Sequence, residues 1–347
     1  MTITPEAYVH LSADETILTF YYDTLRASRQ GTTWGIGDTK KFRSILIPAW
    51  VGTKESPNTT ILTAVFDTSF RKFRPATTAV WFSGLASLKS IEGLEHLNTS
   101  QVTDMWGMFL RCSSLTSFDL SRFDTSKVTC MRSMFYSCSS LTSLDLSSFD
   151  TSKVTDMRNM FDNCTSLKAL DLSHFDTSEV TSMRKMFDNC RSLKALDLSH
   201  FDTSQVTDMS YMFCGCSALT SLDVSHFDTS QVEWMRGLFE GCSSLTALDL
   251  SNFDTSMLGE MGNMFSGCTA LTTLDLSNFD TSWVDYMYQM FCGCNSLTTI
   301  YCNSTWNCEN SESMFAGCTS LRGAVPYDYS KTDASMANPE TGYFSRR

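Results

Sequence analysis

The feature that most constrains this chain is a repeat. Phe-Asp-Thr-Ser recurs with its Phe at 123, 149, 175, 201, 227, 253 and 279, each step being 26 residues, and Leu97-Asn98-Thr99-Ser100 holds the same phase one step earlier. A companion string, Met-Phe-x-x-Cys, starts at Met108, Met134, Met160, Met186, Met212, Met264 and Met290. Leu238 fills the remaining slot, and Met314 follows after a shortened step of 24 residues. A fixed period of this size marks stacked supersecondary units, not independent globular domains.

The unit 138–164 shows the logic. Leu144-Asp145-Leu146-Ser147 alternates apolar and polar residues, the period of a half-buried strand. Val154, Met157, Met160, Phe161 and Cys164 recur at threes and fours, which predicts a short helix or 3₁₀ turn. Asp150, Thr151 and Ser152 precede that run, where short oxygen-bearing side chains accept orphan backbone N–H groups. The expected coil is a strand, a polar corner and a short helical return. One coil buries too little apolar surface to offset the ordering of its backbone, so coils must stack and bond strand to strand. Pro57 and Pro75 precede the array, Pro326 and Pro339 follow it, and none lies between, as expected where a missing N–H would break an inter-coil bond.

Residues 1–77 lack the repeat. Residues 8–11 and 16–22, joined through 12–15, read as a β-hairpin, with further strands at 43–47 and 60–66. An open solenoid exposes the apolar end of its first coil, so this segment is expected to cap it. The expected division is 1–77 as a β-rich N-terminal cap, 78–325 as the solenoid, and 326–347 as a C-terminal cap whose last residues fray.

The pattern L-x-x-L-x-L-x-x-F followed by V-x-x-M-x-x-M-F-x-x-C, with its Phe-Asp-Thr-Ser-x-Val-Thr-Asp-Met string, closely resembles the BspA-like leucine-rich-repeat surface proteins of bacteria over residues 78–325. The resemblance implies an α/β leucine-rich-repeat-type solenoid displayed outside the cell or at its surface. It also implies adhesion, that is, binding a protein or glycan ligand such as host extracellular matrix through an outward face. It names no ligand, because members of that family are diverse.

With 38 Asp and Glu against 26 Lys and Arg, the net charge is -12, which argues against nucleic acid, whose binding needs basic stripes. No apolar run approaches the roughly 18 residues of a membrane span, so no membrane insertion is expected. Met1–Glu6 has neither region of a signal peptide and 337–347 carries no sorting tail, so the chain is expected to be unexported or a mature form. A monomer is expected. No nucleophile stands beside a base, and no phosphate loop or metal-ligand spacing occurs, so neither catalysis nor a cofactor is expected. Enzyme chemistry would need a cleft at the junction of cap and solenoid.

Several columns of equivalent residues are candidate sites. Cys112, Cys138, Cys164, Cys190, Cys216, Cys242, Cys268, Cys294 and Cys318 should lie about 5 Å apart with parallel side chains, a poor disulfide geometry, so buried free thiols are expected. Cys302 and Cys308 flank the irregular last coil, where a local disulfide is open. Asp145, Asp171, Asp197, Asp223 and Asp249 form a mid-strand, concave acidic face. It reads as a Ca²⁺ or basic-partner surface, or as charge that keeps a sheet soluble. The aspartates of Phe-Asp-Thr-Ser read as turn and cap chemistry. His174, His200 and His226 form an edge that reads as plain surface or as a pH-sensitive binding edge. The threonines from Thr99 to Thr281 would suit an ice-binding array only if strand-borne, whereas they sit at a corner. In the C-terminal coils the outward slots become large: Trp234, Met257, Trp283, Tyr286 and Tyr288, with Tyr211 nearby. Clustered exposed aromatics mark interaction sites, so this patch is the expected binding surface.

Overall fold

The computed structural model describes residues 4–347. They fall into two compact units, one running to Val154 and including Asn163–His174, the other comprising Thr155–Asp162 and Phe175–Arg347.

The first unit opens with β1 (Glu6–Leu11) and β2 (Ile17–Asp23), the antiparallel hairpin expected from the sequence. Its turn is pinned by Ser12, whose hydroxyl donates to Asp14 at 2.6 Å and accepts the Ile17 amide at 2.9 Å. β3 (Thr32–Gly35) pairs with β1, while β4 (Thr39–Phe42) and β5 (Ile45–Pro48) make a separate hairpin. β6 (Thr63–Phe66) lies parallel to β2, and β7 (Ser90–Glu92) parallel to β6. The sheet order is β3-β1-β2-β6-β7, so this sheet runs directly into the first repeats. Beneath it, Phe20 stacks on Phe66 at 4.5 Å and on Trp81 at 5.6 Å, and the Trp50 indole donates to the Trp81 carbonyl.

Within each unit the repeats superpose as expected. Phe109 and Phe135 are parallel at 5.7 Å in the first unit, and Phe187, Phe213, Phe239, Phe265 and Phe291 continue at 5.7–5.9 Å in the second. The Val, Met, Phe and Cys columns are buried.

The return arm differs from expectation. No helix occupies it; it is a run of turns. The spacing of three reflects successive turn closures, such as Met160 N–H to Met157 carbonyl and Cys138 N–H to Phe135 carbonyl. Each turn places its third residue in the left-handed region, for example Asn159 (φ 58°) and Asn163 (φ 60°), which Asn and Gly tolerate best. The intervening amides bond to the next coil. In the first unit Met105, Gly107, Phe109 and Arg111 donate to the carbonyls of Cys130, Arg132, Met134 and Tyr136 at 2.7–3.0 Å. In the second, Met183, Lys185, Phe187 and Asn189 donate likewise to Asp208, Ser210, Met212 and Cys214. The inter-coil ladder therefore lies mainly on the arm expected to be helical. From Thr99 onward the Leu-x-Leu positions of the coils form strands only at β8 (Thr273–Asp275) and at β9 (Thr299–Tyr301), where Ile300 replaces the Leu, and these two pair in parallel.

The corner threonines are internal struts. The Thr229 hydroxyl donates to the Asp254 carbonyl and accepts the Asp254 amide, both at 2.8 Å, and Thr125 does the same for Asp150. Thr99 to Thr255 are buried, so they form no outward array for ice. At the C-terminus the expected fraying is not seen. β10 (Phe344–Ser345) pairs parallel to β9, and Tyr343 and Phe344 are fully buried, with Phe344 packing edge-on against Trp306.

Thr229→Val removes the hydroxyl while keeping the shape, orphaning the Asp254 amide and carbonyl. The expected loss is about 1–3 kcal/mol, measured as a lower urea midpoint with faster hydrogen exchange at Asp254. Thr229→Ser should retain most of the stability.

Candidate interaction surface

The acidic face is built differently from the expected mid-strand ladder. Asp145, Asp171, Asp197, Asp223 and Asp249 are exposed, and each of Asp145, Asp171, Asp223 and Asp249 accepts its i+2 serine amide at 3.0 Å, as Asp197 does from Ser199. These are Asx turns that lead into the next Phe. The serine bonds hold the Asp145 and Asp223 carboxyls below their usual range. The aspartates of Phe-Asp-Thr-Ser cap the following serine in the same way, as Asp150 does for Ser152. No group of three or more His, Cys, Asp or Glu among the described residues is placed to hold a metal.

His174 lies in the first unit, exposed and bonded to the Ser173 hydroxyl. His200 and His226 lie in the second, also exposed; His226 bonds the Leu198 carbonyl at 2.9 Å, which requires a proton on that nitrogen. Cys302 and Cys308 form no disulfide: both thiols are free, and they contact Ser304 and the Asp285 carbonyl respectively. The thiols of the cysteine column are free as well. Each points at the carbonyl of the Phe one coil back, as Cys138 does to Phe109 at 3.0 Å and Cys216 to Phe187 at 3.1 Å. Burial pushes both thiols well up from their usual range.

The aromatic positions separate into two groups. Trp234 (44% exposed), Met257 (58%), Trp283 (76%) and Tyr286 (46%) present their side chains to solvent. Parallel bridges from Trp234 to Glu260 and from Glu260 to Tyr286 place these three in one register column of successive coils. Tyr211 and Tyr288 are instead half-buried and already occupied. Arg236 lies 5.6 Å from the Tyr211 ring and 5.1 Å from the Tyr288 ring, and Lys185 sits 4.9 Å over Tyr211. Two glycines make this possible. A Cβ on Gly237 would come within 2.6 Å of the Tyr211 ring, and one on Gly262 within 2.7 Å of the Tyr288 ring. The Tyr288 hydroxyl donates to Glu260 at 2.9 Å; burial, then this bond, push it up to about 12.

A second cluster escaped sequence reasoning. Asp162 and Asp188 occupy one column at 6% and 3% exposure, although a helical return would have turned them outward. Asp188 accepts from Lys185 at 2.8 Å and from Asn189 at 2.7 Å, whereas Asp162 accepts only from Asn159 in this cluster. Burial, and then the nearby Asp188 charge, push the Asp162 carboxyl up to about 6. The signal was present in the Asn preceding Cys164 and Cys190, a left-handed turn former, of which Asn189 also bonds the Asp188 carboxylate. In the first unit, a cleft of about 220 Å³ is lined by Phe42, Ile45, Ile47, Val80, Trp106 and Leu110 with Arg43, Lys54, Glu55 and Arg111; no Asp or His lines it.

A family model described as "Mycoplasma protein of unknown function, DUF285" matches residues 78–171, 142–222, 166–248 and 215–328. A solved leucine-rich cell surface protein from Faecalibacterium prausnitzii is 18% identical, with 97% of each chain covered and a TM-score of 0.39. A leucine-rich repeat protein from Eubacterium ventriosum is 16% identical, covering 99% of this chain and 96% of that one, with a TM-score of 0.44. One from Bacteroides ovatus is 17% identical over 92% of each, with a TM-score of 0.34. No curated protein matches the sequence.

The raised Asp162 carboxyl has a signed consequence. Its contribution to stability is complete below the ordinary value of 3.8 and is lost as pH rises through about 6, costing roughly 3 kcal/mol by pH 8. Asp162→Asn should therefore raise the thermal midpoint at pH 8 and leave it unchanged at pH 4. The thiols give a second test. In native protein, alkylation read by mass spectrometry should label half-buried Cys292 and Cys308 well before Cys138, Cys216 or Cys242.

Proposed function

This chain belongs to the DUF285 repeat family, and from that premise we propose that it is a binding module, an adhesin that engages a protein or glycan ligand through an outward face. The observation that supports the reading best is the exposure of Trp234, Met257, Trp283 and Tyr286 on consecutive coils of one unit. Large apolar side chains held on a rigid repeat lose little freedom on binding, and aromatic anchors of this kind dominate interface energetics. Tyr211 and Tyr288 serve as supports, since their rings are engaged by Arg236 and Lys185. Residues 78–325 form the binding array in this reading, with 1–77 and 326–347 closing its ends. Display at the cell surface, host matrix as the ligand class and a monomeric state complete the proposal.

Binding of extracellular-matrix proteins and glycans to immobilised wild type, compared with Trp234→Ala/Trp283→Ala/Tyr286→Ala, tests it. Loss of capture by at least roughly tenfold is expected, since each exposed anchor contributes in this range. An Asp197→Asn/Asp223→Asn/Asp249→Asn variant should bind as wild type. If the aromatic variant captures every ligand normally while the aspartate variant fails, the acidic face is the binding surface and the proposal is wrong.

A further inference from the structure

We infer that what docks on the aromatic strip is a basic polypeptide segment, rich in Lys or Arg, of a partner protein; this rests on the strip being the binding face. Charge is the first ground. Between Phe227 and Asn310 the chain has one basic residue, Arg236, against ten Asp and Glu, whereas residues 101–226 carry eleven Lys and Arg. The outward slots that hold Lys127 and Lys153 in earlier coils hold Met257 and Trp283 here. Carboxylates accompany the rings: Glu233 directly precedes Trp234, Asp285 directly precedes Tyr286, and Glu309 precedes Asn310, the next residue in that bridged column. Asp285 and Glu309 are exposed and Glu233 is half-exposed.

The second ground is internal. Next to the strip, this surface already uses the chemistry proposed for the partner. Tyr211 is faced by Arg184, Lys185 and Arg236, and Tyr288 by Arg236, at 4.9–5.7 Å. Arg236 is further held by Glu260 at 3.6 Å. Among the described residues, no cation lies within such a distance of the Trp234, Trp283 or Tyr286 rings. An indole face attracts a cation more strongly than a phenol, so Trp234 and Trp283, both open, are better platforms than the occupied Tyr211 and Tyr288. A neutral sugar could stack on the same rings, but it would gain nothing from the scarcity of basic groups around them. A guanidinium or ammonium gains from both the rings and the carboxylates.

The test uses the full chain and a synthetic peptide of alternating Arg and Gly, with Glu-Gly and Ser-Gly peptides and a neutral oligosaccharide as comparison ligands, followed by calorimetry at low and high salt. The Arg-Gly peptide should bind in preference to the others and weaken as salt rises. Trp283→Ala/Tyr286→Ala should weaken it by roughly tenfold or more, and Glu233→Gln/Asp285→Asn by a smaller factor. Asp197→Asn/Asp223→Asn/Asp249→Asn should change it less than about twofold, which separates the strip from the net charge of the chain. Both ring substitutions are at exposed positions, and circular dichroism with thermal melts is the check that the variants fold. Equal binding by wild type and ring variants would mean the peptide senses only overall negative charge, and would overturn the inference. Oligosaccharide binding that needs Trp283 and Tyr286, without peptide binding, would overturn it and leave the aromatic strip standing as the binding face. Loss of neither ligand's binding in the ring variants would sink both.

Discussion

Alternation of amide partners along the return arm governs the rest of this structure. One amide closes a turn within its own coil, and the next donates to the coil beyond. Because every return-arm peptide is committed in this way, the path is fixed residue by residue, and equivalent side chains must superpose. Parallel Phe stacks, the Met columns and the threonine struts are consequences of that superposition. Insertion of a residue in the arm would exchange the two classes of amide and turn the core columns outward. In the bridged column from Thr77 to Asn310, the two steps that depart from 26, 27 residues from Thr77 to Asp104 and 24 from Tyr286 to Asn310, arise ahead of the arm itself.

Such a frame leaves few positions free to vary, and function is confined to them. Interior columns barely change from coil to coil, while the slots flanking the inward Val, held by Lys127, Thr129, Lys153 and Thr155 in earlier coils, hold Glu233, Met257, Trp283 and Asp285 beside Val232, Leu258 and Val284. Rigidity also explains how Arg236 can be sandwiched by tyrosines from different coils. The backbone supplies the spacing, and Gly237 and Gly262 supply the room. A strip of rings on such a support is preorganised, which reduces the ordering cost that weakens flexible binding surfaces.

Period, inward columns and the hairpin at residues 6–23 were legible in the sequence because each depends on a local pattern. The return arm was misread for a physical reason: a spacing of three is shared by 3₁₀ helix and by consecutive turns. The discriminating signal was the Asn, Ser or Gly before each column Cys, seen at Ser137, Asn163, Asn189, Gly215 and Gly241, all at positive φ. With the arm taken as helix, Asp162 and Asp188 seemed outward and their burial went unseen. The four exposed members of the aromatic patch were legible, because an apolar residue at an outward slot stands out against a regular repeat. The engagement of Tyr211 and Tyr288 was not, because it depends on residues from three different coils meeting over two glycines.

The free thiols of the interior carry a consequence for how this protein ages. Ten of the fourteen cysteines are buried, and the column thiols among them are kept apart and unreactive only while the coils remain stacked, sealed by the layers above and below. A chain that opens in an oxidising medium would meet its own cysteines in arbitrary pairs, and any bridge formed would join residues that the native stack holds parallel. Unfolding would then become a one-way step, so lifetime outside a reducing compartment would be set by how slowly the stack opens and not by how favourable its closed form is.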